Sequence, residues 1–486
     1  MTRRDFLFAS SAFIATEGLT GCAAARAVGL ARGGAKLRFG VVSDVHLSIA
    51  GVESGGCGDT RILERAFAFF RDRGVDAVMI AGDIADWGLT AQLVAAGDAW
   101  RKVFPGNRGR DGRPVERLFV CGNHDRNGWS YGYEKRYNLP ADLFAEERKI
   151  SHDFAAAWKL AFDEDYSDFW LKDVNGYKFV GCNLLEYPKG GRFLEEHRAE
   201  LEGDRPFFYV QHYHPKGTTC APYVWGQDAG HSTAALSRFP NAVALSGHSH
   251  TPLVDDRVFW QGAFTSVGTA SLRYLVPIGG RENATLFGVN NPNVRQMDAL
   301  GRDGQHGLLV SVFDDAIVFE RRDFTSGRPV GADWVMPLPF DTSLTAERRA
   351  ACAATPQFAP GAKPVVSARR GKDSRGREID QTVVAFPSVK TPVRAFDYEV
   401  TVEIEEVDVA RTGPVKRVYA PDFFRAPEAD VAPAECVFAD GELPKPYRLK
   451  KGRVQRWPNG VRYRFAVRPC NCWGAKGEPI RTDWRG

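Results

Sequence analysis

Histidine, aspartate and asparagine side chains recur along this sequence in short clusters whose residue types could bind metal ions. Carboxylates, amide oxygens and imidazoles together suit divalent Mn, Fe, Co, Ni or Zn. A dinuclear site also needs a carboxylate shared by the two ions, and Asp83 is our candidate for that bridge. The clusters, in chain order, are Asp44-Val45-His46, Gly82-Asp83, Gly122-Asn123-His124-Asp125, Gln211-His212-Tyr213-His214 and Gly247-His248-Ser249-His250.

Each cluster directly follows a short apolar run that reads as a buried strand. The runs are residues 37–43, 77–81, 118–121, 207–210 and 242–246. Open α/β sheets keep their sites beyond the carboxyl ends of their strands, so these strands would deliver the polar side chains to one sheet edge. Helical spacing over residues 60–70 and 90–104 supplies the crossovers that parallel strands need.

The order and spacing of these clusters resemble the five motifs of the calcineurin-like metallophosphoesterases over residues 37–340. The resemblance implies a four-layer α/β/β/α sandwich, in which two β-sheets are flanked by helices and two metal ions lie at one edge. It further implies that Asp83 is shared, and that His124 is not a ligand. The implied ligands are Asp44, His46 and His250 for one ion, and Asn123, His212 and His248 for the other.

The fourth motif leaves two histidines competing for one ligand position. His212 follows the strand after Gln211, whereas His214 precedes Pro215. We assign His212 as the ligand and keep His214 as an alternative and as a candidate substrate contact. Purple acid phosphatases have a tyrosine three residues after the bridging aspartate, where this chain has Asp86, so a tyrosinate-bound iron site is not expected.

Charge and geometry suggest how such a site would hydrolyse a phosphate ester. Two divalent ions lower the pKa of a bridging water and neutralise the phosphate oxygens as the resulting hydroxide attacks phosphorus in line. We predict that His124 stabilises the transition state or protonates the leaving oxygen, and that Asp125 orients His124 through its other ring nitrogen. Asp86 is predicted to orient a metal ligand.

Candidate substrate contacts come from segments near the motifs. Residues 126–170 form a long aromatic insertion that begins beside His124, and Trp129 and Tyr131 are its nearest members. These aromatics either line a substrate pocket or pack the insertion onto the core. His231, in a Gly-rich and aromatic stretch, and Arg273, which follows the last motif, are candidate anion contacts; for His231, a helix-capping or solvated position is the favoured alternative.

The first 22 residues resemble an export signal. Arg3-Arg4 precede a moderately apolar segment, as in twin-arginine signals, and Leu19-Thr20-Gly21-Cys22 resembles a lipobox whose cysteine carries the lipid. We therefore predict an exported, periplasmic protein that is lipid-anchored to the membrane at Cys22, with residues 23–36 as a tether. Glu17 is unusual within an apolar signal segment, and the alternative is a cytosolic protein with a basic, apolar tail.

Composition sets the broad class of the protein. The 486 residues are 44% hydrophobic and 26% charged, which is typical of a soluble chain with more than one domain. A formal charge of +4 is too small to predict binding to a nucleic-acid polymer. Cys470 and Cys472 are too close in sequence to pair comfortably with each other, and a disulfide from either to Cys436 is conceivable in an oxidising compartment.

Composition shifts after residue 340. Residues 341–364 are rich in Ala and Pro and predict a linker or a short helix. Residues 365–486 contain strand-like runs with intervening turns, which predict a small all-β sandwich that loosely resembles fibronectin type III or immunoglobulin-like modules. Its role is more consistent with docking or surface contact than with chemistry, because it contains no cluster of catalytic residue types.

The sequence thus predicts a hydrolase of phosphomonoesters or phosphodiesters that uses two divalent ions, Mn, Fe, Zn, Co or Ni. The aromatic insertion suggests a nucleotide or cyclic nucleotide phosphodiesterase, and the lipid anchor suggests a hydrolase of envelope phospholipid headgroups. A non-catalytic binding scaffold is the third alternative, although every motif position is filled. The sequence leaves open the ester, the metal, the disulfide connectivity and the oligomeric state.

Overall fold

The computed structural model describes residues 34–48, 60–131, 153–183, 187–220, 226–277, 281–283, 304–373, 375–390, 393–406, 409–421, 423–425, 432–444, 447–450, 453–456 and 461–485. The predicted signal, including Cys22, and residues 23–33 of the predicted tether lie outside the described residues. Within the described ranges, no helix has the length and apolar character needed to cross a membrane.

The first sheet contains the strands that precede the first three motifs. Strands β1, β2 and β3 are parallel neighbours, and the sheet continues from β1 through antiparallel strands in the order β10, β11 and β12, with β13 also paired to β11. Nearly uninterrupted apolar runs fit strands that are covered on both faces. The bounds are β1 Leu37–Val42, β2 Ala77–Ala81, β3 Glu116–Val120, β10 His306–Val312, β11 Ala316–Asp323, β12 Arg328–Pro329 and β13 Trp334–Pro337.

The second sheet contains the strands that precede the last two motifs, with the order β4-β5-β6-β7-β9-β8. Strands β5, β6, β7 and β9 are parallel neighbours. An Asn175-Gly176 turn, with φ of 52° and 79°, joins β4 to β5 and suits a tight hairpin. The bounds are β4 Phe169–Val174, β5 Tyr177–Cys182, β6 Phe207–Val210, β7 Ala242–Ser246, β8 Phe259–Gln261 and β9 Thr265–Gly268.

The two sheets pack against each other through aromatic and aliphatic side chains. The ring of Phe39 on β1 lies 5.2 Å from that of Phe179 on β5 and 4.7 Å from that of Phe208 on β6. These residues belong to one buried cluster that also includes Met79 and Leu245. The shared core fixes the two sheets relative to each other and therefore brings their carboxyl edges together.

Helices cover the outer faces of both sheets. Helix α1 places Phe67 and Phe70 against the first sheet, as its helical spacing predicts, and α2 and α4 join the same cluster. Leu194 of α5 and Leu236 of α7 pack against the outer face of the second sheet. The bounds are α1 Arg61–Asp72, α2 Thr90–Val103, α3 Asn123–Asn127, α4 Phe154–Phe162, α5 Tyr187–Glu196, α6 Arg198–Leu201, α7 His231–Leu236 and α8 Ala346–Cys352.

The described residues of the C-terminal region, from residue 365 onward, are mainly strands, with a short 3₁₀ turn at Asp440–Glu442. Its sheets have the orders β14-β15-β18 and β17-β16-β21-β22, and β19 and β20 form a hairpin. Phe386 on β15 contacts Tyr398 on β16 at 4.9 Å between ring centres, so the two larger sheets face each other. The bounds are β14 Val365–Lys372, β15 Glu378–Phe386, β16 Asp397–Glu406, β17 Val409–Tyr419, β18 Ala434–Ala439, β19 Tyr447–Lys450, β20 Arg453–Arg456, β21 Arg462–Cys470 and β22 Ile480–Arg481.

The predicted mixed α/β class with additional C-terminal sheets agrees with this architecture. Phe465, Ala466 and Val467 on the last long strand, β21, are all buried, so both faces of the strand are covered there. The predicted linker contains α8, one of the two forms proposed for it. Cys436, Cys470 and Cys472 all carry free thiols, so the disulfide considered from the sequence is not formed.

The C-terminal sheets contact the first part of the chain directly. Arg281 donates to Asp397 at 2.6 Å, and His306 on β10 donates from Nε2 to the Phe424 carbonyl at 2.6 Å. A cavity of about 400 Å³ lies between the two parts and is lined by Trp334, Trp473 and other residues of both. The polar clusters singled out in the sequence lie elsewhere, at the carboxyl edges of the two large sheets.

Candidate metal centre

One cluster combines the first motif with the last. The Asp44 Oδ1 atom lies 3.0 Å from His250 Nε2 and 3.9 Å from His46 Nε2. All three side chains are buried, with at most 2% of each residue exposed. Their ligand atoms lie within 4.8 Å of one another, close enough to share one metal ion.

A second cluster combines the second, fourth and fifth motifs. Asp83 Oδ2 lies 3.0 Å from His212 Nε2, and His212 Nε2 lies 3.1 Å from His248 Nδ1. These three residues also place their ligand atoms within 4.8 Å of one another. The next candidate ligand, Asn123, begins helix α3 directly after β3.

Asp83 links the two clusters. Its Oδ2 atom, which faces His212 in the second cluster, is also 3.7 Å from His46 Nε2 in the first. Its Oδ1 atom accepts a hydrogen bond from the His124 backbone N–H at 2.8 Å. The Asp83 side chain thus lies within reach of the ligand atoms of both clusters.

Hydrogen bonds to one ring nitrogen orient the other toward the site. His46 Nδ1 binds Asp86 Oδ1 at 3.0 Å, His212 Nδ1 binds the Ala81 carbonyl at 2.8 Å, and His250 Nδ1 binds the Tyr274 carbonyl at 2.9 Å. Each of these contacts favours a proton on Nδ1 and leaves the Nε2 lone pair directed inward. Such partners fix both the tautomer and the orientation of metal-binding histidines.

The inward atoms fit a pair of cations. His46 Nε2 and His250 Nε2 are 3.2 Å apart, a separation at which two lone pairs repel unless a positive charge or a proton lies between them. Asn123 Oδ1 is buried and has no hydrogen-bond partner among the described residues, although a buried acceptor of this kind is costly. The donor set of carboxylate, imidazole and amide oxygen suits divalent transition metals.

The backbone at these strand ends is unusual. Asp44, His46, Asp83, His248 and His250 all have positive φ, between 45° and 68°. Non-glycine residues rarely adopt this region, and each instance costs of order 1 kcal/mol. These sharp turns let the ligand candidates of the motifs reach the two clusters beyond the strand ends.

Motif glycines allow the close approach of neighbouring strands. A Cβ atom at Gly122 would overlap Asp83 Oδ1, and one at Gly247 would overlap Asp44 Oδ2. The glycines that precede Asn123 and His248 are therefore a steric requirement of the converging side chains.

Electrostatics keep the carboxylates ionised despite their burial. Burial raises the pKa of Asp44, but His250 and His212 outweigh it and lower the pKa to about 2. Asp83 behaves in the same way: His212 and His124 overcome the effect of burial and hold its pKa well below the usual range. Ionised carboxylates are the ligating form.

His124 lies beside the site but is not oriented as predicted. Its Nδ1 donates to the backbone carbonyl of Asp86 at 2.7 Å. Asp125 instead accepts backbone N–H bonds from Ala85 at 2.7 Å, Gly122 at 2.8 Å and Ile84 at 3.2 Å. The prediction that Asp125 orients His124 is therefore wrong, because adjacent residues at the start of α3 point in different directions; Asp125 ties the second and third motif loops together.

A known protein family matches the part of the chain that contains the five motifs. Residues 37–252 match the sequence profile of the calcineurin-like phosphoesterase family. The chain contains a calcineurin-like phosphoesterase domain. This match, with the Asp and His clusters that fit a binuclear site, supports assignment of the protein as a metallophosphoesterase, a hydrolase whose family implies a phosphate-ester substrate.

Similar solved structures include a dimetal phosphatase from Danio rerio, with 13% identity and a TM-score of 0.36 over 63% of this chain and 100% of that one. Purple acid phosphatase from yellow lupin seeds has 11% identity and a TM-score of 0.36, covering 62% of this chain and 53% of that one. A predicted phosphoesterase from Streptococcus pneumoniae has 14% identity and a TM-score of 0.27, covering 62% and 97%. A comparison with curated proteins gave no match.

The phosphoesterase domain brings His212, and not His214, to the metal centre. His214 is buried, and its Nδ1 and Nε2 bind the hydroxyls of Ser246 at 2.7 Å and Ser249 at 2.6 Å. Both ring nitrogens are thus used within the fold, so the alternative that His214 is a ligand or a substrate contact is not supported by its geometry. Its role is to fasten the β6 and β7 loops to each other.

The other predicted substrate contacts differ in how they are placed relative to the metal centre. The Tyr131 ring packs 5.1 Å from the His124 ring, and the residue is 44% exposed. Arg273 is half-buried and precedes Tyr274 at the edge of the first cluster. His231 is exposed at the start of α7, and no hydrogen bond among the described residues joins it to the metal centre. The side chain of Trp129 lies outside the described part of the chain.

Some contributors were missed by the sequence analysis. The Tyr213 ring lies 4.2 Å from the His248 ring, and the Tyr274 ring lies 4.2 Å from the His250 ring. Ser43 donates to Asp44 Oδ2 at 2.6 Å. Tyr213 lies within the fourth motif and Ser43 directly precedes the first, so both could have been flagged by position, whereas Tyr274 comes 24 residues after His250 with no local signal.

Proposed function

We propose that the protein hydrolyses phosphodiesters or phosphomonoesters with two divalent metal ions. Asp44, His46 and His250 would hold one ion, Asn123, His212 and His248 the other, and Asp83 would be shared. The observation that supports this most is the position of Asp83 Oδ2, 3.0 Å from His212 Nε2 and 3.7 Å from His46 Nε2. The ions, when bound, supply an activated water near neutral pH and neutralise phosphate oxygens.

His124 is the proposed acid. Burial lowers its pKa, but the carboxylates of Asp83 and Asp86 outweigh burial and the pKa is raised. A doubly protonated ring would donate from Nδ1 to the Asp86 carbonyl and from Nε2 to a phosphate or leaving-group oxygen. Donation of that kind contributes about 10²–10⁴ in rate.

Hydrolysis of two chromogenic esters tests the proposal. The full-length protein is stripped of metal, reloaded with Mn, Fe, Zn, Co or Ni, and assayed with bis(p-nitrophenyl) phosphate and p-nitrophenyl phosphate. Metal-dependent turnover is expected, and the preferred ester separates a phosphodiesterase from a phosphatase. Asp83→Asn should abolish turnover while the exposed Asp165→Asn should not. Absence of turnover with every ion, despite bound metal, would favour the scaffold alternative.

A nucleotide phosphodiesterase is the second candidate. The exposed ring of Tyr131 beside His124 offers a face on which a base could stack. A panel of nucleotide diesters, assayed beside bis(p-nitrophenyl) phosphate, should then show a lower KM for the nucleotides. Equal KM values across the panel would contradict this candidate. Envelope phospholipid headgroups remain the other proposed substrates, supported only by the lipobox-like sequence.

We also propose export and anchoring of the protein at Cys22 in the periplasm. Arg3-Arg4 and the Leu19-Thr20-Gly21-Cys22 sequence support this. Cys22→Ser should move the protein from the membrane fraction to the soluble fraction, whereas an unchanged distribution would contradict the anchor.

We also propose how the sheets and helices are layered and which type of module the C-terminal region forms. Packing of Phe39 against Phe179 and of helices on both outer faces supports the four-layer α/β/β/α arrangement. The facing sheets of the C-terminal region support a module like fibronectin type III or immunoglobulin domains. Domain boundaries at residues 340 and 365 stay predictions, and limited proteolysis between them would test both.

A further inference from the structure

The Asn123 side chain has one satisfied end and one unsatisfied end. Its Nδ2 donates to the Tyr131 hydroxyl at 3.1 Å. Its Oδ1 has no hydrogen-bond partner among the described residues and is buried. The residue as a whole is 7% exposed, so water cannot freely compensate either atom.

The two ends of an amide differ in what they can bind. Only the oxygen has lone pairs for a metal ion, while the NH₂ group is a pure donor. A ligating asparagine must therefore point its oxygen into the site, and its NH₂ group then needs an acceptor on the opposite side. The Tyr131 oxygen provides that acceptor.

Local structure holds Tyr131 in this place. Helix α3 continues into the 3₁₀ turn Gly128–Ser130, and the Tyr131 backbone N–H donates to the Gly128 carbonyl at 3.1 Å. The Tyr131 ring also packs on His124.

The corresponding supports in the first cluster are more deeply buried. His46 is held by the Asp86 carboxylate, and Asp86 is 7% exposed. In the second cluster, Asn123 depends on a tyrosine that is 44% exposed. The supports of His46 and Asn123 are thus unequal, and the one at Asn123 can be altered without disturbing the core.

We propose that Tyr131 is a positioning residue that holds the Asn123 amide with its oxygen directed to the second metal position. The inference rests on the proposed metal centre and extends it to a residue that would bind no metal itself. Partners of this kind typically change metal affinity 10–100-fold.

Calorimetric titration of the metal-stripped full-length protein with Mn²⁺ alone tests this role. Tyr131→Phe keeps the ring against His124 and removes only the hydroxyl group, which is the acceptor for the Asn123 NH₂ group. One of the two binding constants should weaken 10–100-fold, and the other should stay within the error of the wild-type value. Tyr463→Phe, which removes the same hydroxyl from β21 in the C-terminal region, is the matched control and should change neither constant.

A double-mutant cycle separates positioning from other roles. In an Asn123→Ala background, Tyr131→Phe should have no further effect on Mn²⁺ affinity, because there is no amide left to orient. In an Asn123→Asp background it should also have little effect, because either carboxylate oxygen can ligate. A full effect of Tyr131→Phe in the Asn123→Ala background would overturn the inference.

The readout does not depend on catalysis. Unchanged Mn²⁺ constants in Tyr131→Phe would refute the positioning role even if KM rose, since that pattern indicates a substrate contact. If the wild-type protein bound two ions and hydrolysed no ester, the proposed function would fail while the Mn²⁺ titration still decided the role of Tyr131.

Discussion

Charged residues serve opposite purposes in the phosphoesterase site and in the C-terminal sheets. Asp44 and Asp83 are at most 1% exposed, and they sit on backbone turns with positive φ. Glu403 on β16, in contrast, pairs with Arg464 at 2.6 Å and Arg481 at 3.2 Å on a regular sheet surface. Among the described residues after position 340, only glycines have positive φ.

Some charged residues stabilise the fold, whereas others lower its stability and are kept all the same. Buried like charges and left-handed turns oppose folding unless something binds them, and such features concentrate at functional sites. Surface ion pairs between strands are solvated and contribute little to stability. Substitutions of the site carboxylates and of these surface ion pairs should therefore differ in kind: loss of metal or activity for the first, and small stability changes for the second.

Among substitutions that leave every proposed metal ligand in place, the largest effect is expected for His124→Ala. Turnover of the preferred p-nitrophenyl ester should fall about 10²–10⁴-fold, because the side chain that supports the leaving oxygen is lost. Elemental analysis should show unchanged metal content, and Asn127→Ala, exposed on the same helix, should behave as wild type. Loss of metal from His124→Ala would instead place His124 among the ligands, next to His46 and Asp83.

A smaller effect is expected for Asp86→Ala. The substitution removes the carboxylate that binds His46 Nδ1 at 3.0 Å but retains the backbone carbonyl that binds His124. Mn²⁺ affinity at one position should weaken about 10–100-fold in a calorimetric titration. Asp98→Ala on the exposed face of α2 is the control, and equal affinities in the two variants would mean that Asp86 does not support the ligand.

His306 should make stability depend on pH at the junction of the two regions. Burial lowers its pKa from 6.5 to about 4, so between these values the unfolded chain binds more protons and stability falls as pH falls. His306 should account for about 2 kcal/mol of the loss between pH 7 and pH 5.

Urea unfolding at pH 7 and pH 5 measures this contribution. His306→Gln should lose less stability on acidification than the wild type, whereas the more exposed His197→Gln should follow the wild type. His214, whose pKa burial also lowers to about 4, contributes equally to the wild type and the variant and so cancels in the comparison. Parallel losses in wild type and His306→Gln would disprove the assignment.

The smallest effect is expected in the C-terminal sheets. Glu403→Gln should reduce the free energy of unfolding by less than about 1 kcal/mol, as is usual for solvated ion pairs. Hydrolysis and metal content should not change. A loss of activity in this variant would show that the two regions are coupled through β16, against the contrast drawn above.

The predictions from the sequence were most accurate where the hydrophobic pattern and the residue chemistry indicate the same positions. The strand bounds 77–81, 207–210 and 242–246 match the structure, because apolar runs ended by Gly or polar residues leave little choice of boundary. The ligand candidates converge because each one directly follows a strand. The sequence did not predict the directions in which the side chains point. Neighbouring residues such as His124 and Asp125 diverge because of backbone dihedral angles that residue type alone does not reveal.

Contacts between segments that are distant along the chain could not be predicted from the sequence either. Tyr274 reaches His250, and Ser246 and Ser249 occupy both nitrogens of His214, only because the sheet edge brings these loops together. Tyr131 was singled out by its proximity to His124, but its hydrogen bond to Asn123 emerged only from the three-dimensional arrangement.

The central claim is a two-ion centre bridged by Asp83, and metal stoichiometry tests it most directly. Equilibrium dialysis of the full-length protein against Mn²⁺, followed by elemental analysis and an assay of the same samples, should give two ions per chain, with ester hydrolysis rising as the second ion binds. Saturation at one ion or none, or hydrolysis that persists in the metal-stripped protein, would contradict the account.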